Sequence, residues 1–238
     1  MKAITLFLCI ILLLVIVIFI NYYYGKQYHP CKSSCKENEV FFIDIKQLPY
    51  HLVNILQNAI QKNGYQLNPK FNNENAKGKK MNYYEMPKEI RDFYIDDTIR
   101  QSVSTILKEN VDYADETERY RIFARLYQDD SDFLDWHYDN NFTAGNRYTL
   151  VIPVLVDGGN TSEFIIKDQR TREEKTIPIP LGKGVVYNGS ITYHSITKQT
   201  KGQRRLVIII PFYTNYKKTW LGSIRQVIRN ITDDTLTI

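Results

Sequence analysis

Histidine and cysteine are both scarce in this chain of 238 residues, which contains four histidines and three cysteines. Three cysteines are too few for a disulfide-rich scaffold. Cys9 lies in a continuous apolar run, so Cys31 and Cys35 are the one pair that could form a disulfide bond. Any metal binding or acid–base chemistry that uses imidazole must come from the four histidines, which are His29, His51, His137 and His194.

The chain also lacks a strong excess of either charge, because 31 Lys and Arg residues stand against 26 Asp and Glu residues, for a net charge of +5. The basic residues form no compact stripe with interleaved aromatic residues, so nucleic acid is not expected as a partner. Hydrophobic residues make up 43% of the chain and charged residues 24%. This composition excludes wholesale disorder and a fibrous repeat, and the length predicts one domain with extensions.

A long apolar run is present at the N-terminus, where every residue from 6 to 20 is apolar. With Ile4 and Thr5 included, a helix of about 26 Å would form, which is the lower limit for crossing the hydrocarbon core of a membrane. The tyrosines at 22–24 are the amphipathic rings expected at the lipid headgroups. A cleaved signal peptide is the alternative, but the small residues of a cleavage site do not follow the run. The pattern predicts a single-pass membrane anchor over residues 1–24.

The rest of the chain changes from helical to strand patterns along its length. Residues 25–47 are interpreted as a stalk, and residues 48–238 as one domain. Apolar spacing predicts a helix from Leu48 to Asn63 and a second helix after Pro87, and an amphipathic helix is also expected over 217–230. From about residue 119, short β-branched segments separated by turns predict a mainly β sandwich or jelly roll. The predicted strands are 121–127, 148–156, 162–167, 175–179, 184–187 and 206–212.

The sequence His137-Tyr138-Asp139 contains the strongest candidate for a metal site. In an extended segment, side chains two residues apart share a face and lie about 6.6 Å apart along the chain. Two histidines and one carboxylate form the facial triad of non-haem Fe(II) oxygenases. A second histidine is therefore required, and His194 is the only one downstream. Taken alone the triplet is a weak signal, because a single histidine on a strand is more often structural.

Two further residues strengthen the candidate site. Arg204 opens the apolar strand that follows His194, and a guanidinium there could hold a dicarboxylate through two hydrogen bonds. Tyr127 precedes His137 in a predicted strand. Together with the connecting segments 145–147, 158–161, 182–188 and 201–204, these residues resemble the Fe(II)- and 2-oxoglutarate-dependent dioxygenases. The likeness is greatest to their prolyl-4-hydroxylase-like branch, and it covers residues 119–213, the expected catalytic core.

The resemblance implies a double-stranded β-helix, supported by the N-terminal helices, that holds Fe(II) between His137, Asp139 and His194. It implies that 2-oxoglutarate reaches Arg204 and lies near Tyr127, with ascorbate as a further cofactor. Thr149 is expected to replace a cosubstrate contact that an aromatic residue supplies in relatives. The reaction implied is hydroxylation of a C–H bond on a peptidyl side chain, with release of succinate and CO₂.

Several alternatives stay open at this point. Arg205 would be the cosubstrate ligand if the strand register were shifted by one residue, although alternation sets Arg204 on the face of Leu206 and Ile208. The strand that contains Pro153 is expected to have an edge or a bulge there, because proline cannot donate to a sheet ladder. A jelly-roll binding module that retains the metal site without turnover is a second function. A membrane-anchored structural protein with a coincidental His-x-Asp motif is a third.

The orientation in the membrane is predicted from the flanking charges and from the resemblance. Lys2 precedes the apolar run and Lys26, Lys32 and Lys36 follow it, so the positive-inside count does not favour a cytosolic N-terminus. A short N-terminal tail before an uncleaved apolar segment nevertheless resembles a signal-anchor, and the prolyl-hydroxylase branch commonly works in the secretory lumen. We therefore expect the catalytic domain in the lumen, a glycan at Asn230, and a protein or peptide substrate.

Overall fold

The computed structural model describes residues 38–67, 75–158, 162–220 and 222–223, and five isolated helical positions nearer the N-terminus (Thr5, Leu12, Leu13, Val15 and Ile16). Most of the predicted anchor and stalk therefore lies outside the described residues, as do His29, Cys31, Cys35 and Asn230. Among the residues that are described, no helix has both the length and the hydropathy needed to cross a membrane.

Three named helices lie in the first half of the described chain. Helix α1 spans Tyr50–Asn63, α2 spans Lys88–Tyr94 and α3 spans Asp97–Leu107. The helix predicted from Leu48 thus begins two residues later, after Pro49. The single helix predicted after Pro87 is two helices, because the Asp96 side chain accepts a hydrogen bond from the Thr98 backbone N–H at 2.6 Å and caps a new N-terminus. The amphipathic helix predicted over 217–230 begins too early. Residues 217–219 are not helical, because Lys218 forms an isolated β-bridge with Thr143, whereas residues 220, 222 and 223 are helical.

Twelve strands make up the rest of the described fold, and all of their pairings are antiparallel. The strands are β1 Val40–Asp44, β2 Tyr65–Leu67, β3 Ala76–Met81, β4 Asp112–Tyr113, β5 Phe123–Tyr127, β6 Phe133–His137, β7 Arg147–Asp157, β8 Phe164–Lys167, β9 Glu174–Ile177, β10 Lys183–Tyr187, β11 Tyr193–Ile196 and β12 Arg204–Tyr213. Along the sheet the order is β1-β10-β7-β12-β5-β3-β6-β11-β8-β9, with β2 paired to β3 and β4 paired to β12. This curled antiparallel sheet with few helices confirms the predicted mainly β class and is consistent with a jelly roll.

Strand β3 allows the sheet to curl, because it pairs with two different strands. Lys79–Met81 pair with β5, whereas Ala76 and Lys77 pair with β6. Two apolar clusters result. One lies between the sheet and the helices and contains Leu56, Ile90 and Ile208, and the other lies inside the curl and contains Val151 and Val207.

The predicted boundary between stalk and domain at residue 48 is too late. Strand β1 lies within the predicted stalk, yet it pairs with β10 over its whole length, from Val40 opposite Tyr187 to Asp44 opposite Lys183. Ile43 and Ile45 are buried in the cluster beneath the helices. The residues from 40 onward are therefore part of the folded domain, because their backbone hydrogen bonds extend its sheet.

The irregularity expected at Pro153 is present in β7. The register between β12 and β7 shifts where Leu206 faces Leu155 and Val207 faces Pro153, so that Val154 is an extra residue. The pairing of β7 with β10 on its other side involves only Thr149 to Val151. The missing N–H of Pro153 therefore lies beyond that ladder, where a central strand tolerates it.

The central strand β12 gives a direct test of the packing. Ile208 is fully buried in the cluster beneath the helices. We expect Ile208→Ala to lower the free energy of unfolding by about 2–5 kcal/mol, because the lost methyl groups leave a cavity that the sheet cannot close. Ile55→Ala is the matched control, since Ile55 is 43% exposed on α1, and it should change stability by less than about 0.5 kcal/mol. Urea unfolding measures both, and equal losses would contradict this assignment of the core.

Candidate active site

Two histidines from distant parts of the sequence meet across one strand pair. His137 is the last residue of β6, His194 lies in β11, and the two residues are directly opposite each other. Asp139 follows just beyond β6, where its backbone N–H donates to the Gly189 carbonyl oxygen at 2.8 Å. The ligand atoms of the three side chains all lie within 4.8 Å of one another. The predicted triad of His137, Asp139 and His194 is thus brought together.

The hydrogen bonds of the two imidazoles determine which nitrogen is available to a metal. Nδ1 of His137 lies 2.8 Å from the Asp135 carbonyl oxygen, and Nδ1 of His194 lies 2.8 Å from that of Thr192. A carbonyl oxygen can only accept, so both Nδ1 atoms carry a proton, and Nε2 is the nitrogen of each ring that is left to bind a metal. These Nε2 atoms lie 3.8 and 3.9 Å from Oδ1 of Asp139. Histidine ligands of metals are oriented by hydrogen bonds of this kind.

The two oxygens of Asp139 have separate environments. Oδ1 faces the imidazoles, whereas Oδ2 accepts a hydrogen bond from the Thr149 hydroxyl at 2.5 Å and lies 3.7 Å from the Arg147 guanidinium. Burial alone would raise the pKa of Asp139, but Arg147, both imidazoles and Thr149 together hold that pKa well below its usual range. The carboxylate is therefore ionised, with one oxygen fixed by the protein and the other directed towards the histidines.

His194 is in the form that a metal requires. Burial, followed by the proximity of His137, lowers the pKa of His194 to about 3. Its imidazole is therefore neutral near pH 7 and can use the Nε2 lone pair. Two neutral nitrogens and one anionic oxygen are the donor set of the facial triad that binds Fe(II), so the residues present fit this metal.

Gly189 is a residue of the site that the sequence analysis missed. A Cβ atom at position 189 would lie 2.0 Å from Oδ2 of Asp139. A side chain there would displace the carboxylate, so the close approach of this backbone requires glycine. The Asn188-Gly189-Ser190 sequence reads as an ordinary turn, and its contact with Asp139 is not visible without the fold.

A pocket inside the curl of the sheet, here called the interior pocket, adjoins the triad and contains about 440 Å³ of empty space, including the part open to solvent. Arg205 and Tyr127 line it, and their Cα atoms are paired between β12 and β5. Arg205 is only 5% exposed, and its guanidinium donates to the Ser162 carbonyl oxygen at 2.7 Å. Most of the other residues that line the pocket are apolar or aromatic, and they include Val151, Phe164, Tyr187 and Val207.

The prediction that Arg204 lies in this pocket is wrong. Its side chain is 44% exposed and forms an ion pair with Asp157. The predicted alternation is correct, because Arg204 does share a face with Leu206 and Ile208, but that face packs against the helices. Arg205 is on the opposite face, which lines the interior pocket. Both faces of β12 are apolar, so the pattern alone could not show which one faces inwards.

The remaining predicted residues are partly brought together. Tyr127 is buried in the interior pocket, where it was expected. Thr149 lines the same pocket, but its described hydrogen bond is to Asp139. His51 is exposed on α1, as expected of a residue without a role in the site.

A second cavity, here called the outer cleft, also reaches the triad. It contains about 910 Å³ of empty space, including the part open to solvent, and His137, Asp139, Phe123 and Arg125 line both cavities. Two of the three triad residues thus border both the interior pocket and the outer cleft. Other residues of the outer cleft are Lys80, Glu118, Tyr138, Tyr213, Tyr216 and Lys218.

Known structures share this architecture. A 2-oxoglutarate/Fe(II) oxygenase-family oxidoreductase from Burkholderia pseudomallei superposes with a TM-score of 0.55 at 12% identity, over 82% of this chain and 99% of that one. A prolyl-4-hydroxylase from Pseudomonas putida gives 0.51 at 14% identity, over 73% and 91%. The non-haem α-ketoglutarate-dependent epimerase SnoN gives 0.54 at 11% identity, over 72% and 76%.

The chain has the fold of the Fe(II)- and 2-oxoglutarate-dependent oxygenases. The resemblance predicted from the sequence is confirmed, because structures with this fold include a prolyl-4-hydroxylase and the His-Asp-His group is assembled where the motif requires it. No protein-family profile matches the sequence, and no curated protein matches it. The likeness to this oxygenase fold is therefore carried by the structure and the site.

The three ligands can be tested by metal binding. We expect Asp139→Ala and His194→Ala to abolish the binding of one Fe(II) per chain, because the facial triad needs all three donors. His51→Ala is the control, since it removes an exposed imidazole from α1. Iron content after anaerobic loading and desalting gives the answer. Equal iron in all of these variants and the parent protein would exclude the site.

The hydrogen bond from Thr149 to Asp139 gives a finer test. Thr149→Val keeps the shape but leaves Oδ2 without the hydroxyl donor, and we expect the dissociation constant for Fe(II) to rise about 10–100-fold. Thr149→Ser retains the hydroxyl and should stay close to the parent value. Competition with a chromogenic chelator measures both constants. If Val and Ser behaved alike, the hydroxyl would have no part in orienting the carboxylate.

Proposed function

We propose that this protein is an Fe(II)- and 2-oxoglutarate-dependent dioxygenase that hydroxylates a C–H bond of a peptidyl side chain. Each turnover would convert 2-oxoglutarate, O₂ and R–H into succinate, CO₂ and R–OH. The observation that carries the proposal is the position of the triad. His137, His194 and the ionised Asp139 line the interior pocket, which contains a buried arginine, and His137 and Asp139 also line the outer cleft.

The residues have distinct roles in this proposal. His137, Asp139 and His194 would hold Fe(II), which when bound supplies the activation of O₂ and the oxidative decarboxylation of 2-oxoglutarate. Thr149 and Arg147 hold one oxygen of Asp139, so that the other stays directed towards the histidines.

Arg205 would bind the distal carboxylate of 2-oxoglutarate. Its guanidinium is buried in the interior pocket, and burial lowers its pKa while the proximity of Tyr127 raises it. A buried guanidinium favours an anionic partner that can accept two hydrogen bonds. The apolar walls around it would exclude water from the cosubstrate.

A peptide is the substrate that we favour. The outer cleft is wide and carries the rings of Tyr138, Tyr213 and Tyr216, which suit an extended chain with side chains. The Pseudomonas putida relative in fold is a prolyl-4-hydroxylase, which supports a peptidyl side chain as the target. Ascorbate belongs to the proposal as the reductant that keeps the iron in the Fe(II) state.

Release of succinate tests the proposal directly. The full-length protein in detergent would be incubated with Fe(II), ascorbate and 2-oxoglutarate over a panel of peptides, and products would be examined by mass spectrometry for the added oxygen atom. Turnover that Asp139→Ala abolishes would support an oxygenase. Iron binding without any consumption of 2-oxoglutarate would instead support a binding module that retains a metal site.

The two adjacent arginines of β12 give a matched pair of variants. We expect Arg205→Gln to raise the KM for 2-oxoglutarate about 30-fold or more, since truncating one partner of a buried charge pair costs about 2–5 kcal/mol. Arg204→Gln removes the same charge from an exposed position and should leave the KM within about twofold. The succinate assay measures both. The reverse order of effects would return the cosubstrate role to Arg204.

The membrane anchor and its orientation also belong to the proposal. The uninterrupted apolar sequence of residues 6–20 and the tyrosines that follow support a single-pass anchor over residues 1–24. The likeness of the sequence to the prolyl-4-hydroxylase-like branch, which commonly works in the secretory lumen, supports a signal-anchor with the catalytic domain in that lumen.

Protease protection in microsomes tests this orientation. We expect the domain to resist protease in intact vesicles, because the membrane would shield it, and to carry a glycosidase-sensitive glycan at Asn230. Asn230→Gln should remove that glycan. Digestion of the domain in intact vesicles, without a mass shift on glycosidase treatment, would place it in the cytosol.

A further inference from the structure

Strand β6 has an extra residue beside the proposed metal site. His137 on β6 lies opposite His194 on β11, and three residues before His137, Leu134 lies opposite Ile196. Two residues of β6 therefore face a single residue of β11 between these pairs, which is a β-bulge. Leu134 and His137 both line the interior pocket, although side chains three apart on a regular strand point to opposite faces. The extra residue is what allows both side chains to face inwards.

Asp135 and Trp136 are the two residues of this bulge, here called the β6 bulge, and hydrogen bonds outside the ladder with β11 hold them. The backbone N–H of Asp135 donates to the Asn75 carbonyl oxygen at 3.1 Å, and that of Trp136 donates to Oδ1 of Asp135 at 2.8 Å. The Asp135 carbonyl oxygen accepts the hydrogen bond from Nδ1 of His137. The backbone of the β6 bulge therefore supplies the group that orients this imidazole.

Asn75 holds the β6 bulge from the neighbouring strand. It immediately precedes β3, and its Nδ2 donates to Oδ2 of Asp135 at 2.6 Å, since a carboxylate can only accept. Asn75 thus contacts Asp135 twice, through its side chain and through its backbone carbonyl. The φ angle of Asn75 is +42°, in the left-handed region that glycine, asparagine and aspartate tolerate better than other residues. The side chain and the backbone conformation at position 75 both suit this contact.

We propose that Asn75 and Asp135 are positioning residues of the metal site, which hold the β6 bulge so that His137 presents Nε2 to the metal. This inference rests on the proposed function, since it concerns a ligand of the same site. Neither residue belongs to the triad, so their effect passes through the Asp135 carbonyl oxygen and the His137 ring. Without the Asn75 side chain, the bulge would be free to shift and the hydrogen bond that orients the ring would weaken. The affinity for the metal would then fall.

Two substitutions of Asn75 test the proposal by metal binding. Asn75→Gly removes the donor, and Asn75→Asp sets a second carboxylate against Asp135, while both keep a residue that tolerates the left-handed backbone. We expect each to raise the dissociation constant for Fe(II) about tenfold or more, measured by chelator competition on the full-length protein in detergent. Asn63→Asp is the matched control, because it adds the same charge at an exposed position at the end of α1, outside both cavities. Parent affinity in both Asn75 variants would overturn the proposal.

Exchanging the two side chains tests whether the contact between them is the cause. Combining Asn75→Asp with Asp135→Asn restores one donor and one acceptor in reverse order, and the amide oxygen at position 135 can still accept from the Trp136 N–H. We expect the dissociation constant of this double variant to return to within threefold of the parent value. If it stayed as high as that of Asn75→Asp alone, the assignment to this pair would be overturned. If the variants with Asp at position 75 do not fold, Asn75→Gly decides the proposal by itself.

The geometry of the bound metal separates positioning from a merely structural role. The visible absorption of the protein loaded with Co(II) reports how its ligands are arranged. We expect Asn75→Gly to change this spectrum and the exchanged pair to restore it, because the His137 ring moves with the bulge. A lower free energy of unfolding in urea, with an unchanged Co(II) spectrum and unchanged Fe(II) affinity, would make Asn75 a structural residue and would overturn the proposal.

Succinate assays distinguish failure of this inference from failure of the proposed function. If the parent protein binds Fe(II) and the Asn75 variants bind it more weakly, but 2-oxoglutarate is never consumed, the proposed function fails and the positioning role stands. If the parent protein consumes 2-oxoglutarate and the Asn75 variants match it in Fe(II) affinity, the function stands and the inference fails.

Discussion

His137 and His194 lie directly opposite each other between β6 and β11, and the rest of the site depends on that register. A shift by one residue would turn one imidazole to the other face of the sheet and separate the two Nε2 atoms. The register is stabilised by hydrogen bonds outside the ladder as well, because the Ser195 hydroxyl donates to the Leu134 carbonyl oxygen at 2.8 Å. Asp139 is positioned by Gly189 from the opposite side. The metal ligands are thus held by backbone geometry, which leaves them little freedom to rearrange.

The sequence predicted those parts of the site in which chemistry and spacing coincide. With only four histidines, the pair that could join Asp139 was nearly determined, and the β-rich half of the chain was visible in its alternating and β-branched segments. Arg204 and Arg205 show the limit of this reasoning. Alternation correctly placed Arg204 and Arg205 on opposite faces of β12. Which of the two faces lies inside the curl depends on which side of the sheet the helices cover. That is a property of the packed molecule, and the equally apolar faces of β12 do not reveal it.

Other errors have the same origin. Strand β1 was assigned to a stalk because its partner, β10, lies far along the chain, and no local signal reports such a pairing. Strand β3 was missed for a different reason, since its sequence Ala-Lys-Gly-Lys-Lys-Met reads as a polar loop. Its backbone is nevertheless enclosed between β5 and β6. Tertiary pairing there overrides a weak local preference.

The same strand connects the closure of the sheet to the lining of the site. Lys80 belongs to β3, and the pairing that closes the curl is the one that sets it opposite Arg125. Both side chains line the outer cleft beside His137 and Asp139. The rings of Tyr120 and Phe123 lie 4.1 and 4.9 Å from Nζ of Lys80, which lowers the free-energy cost of burying that charge. The curl of the sheet and the composition of the cleft next to the triad therefore depend on one strand pair.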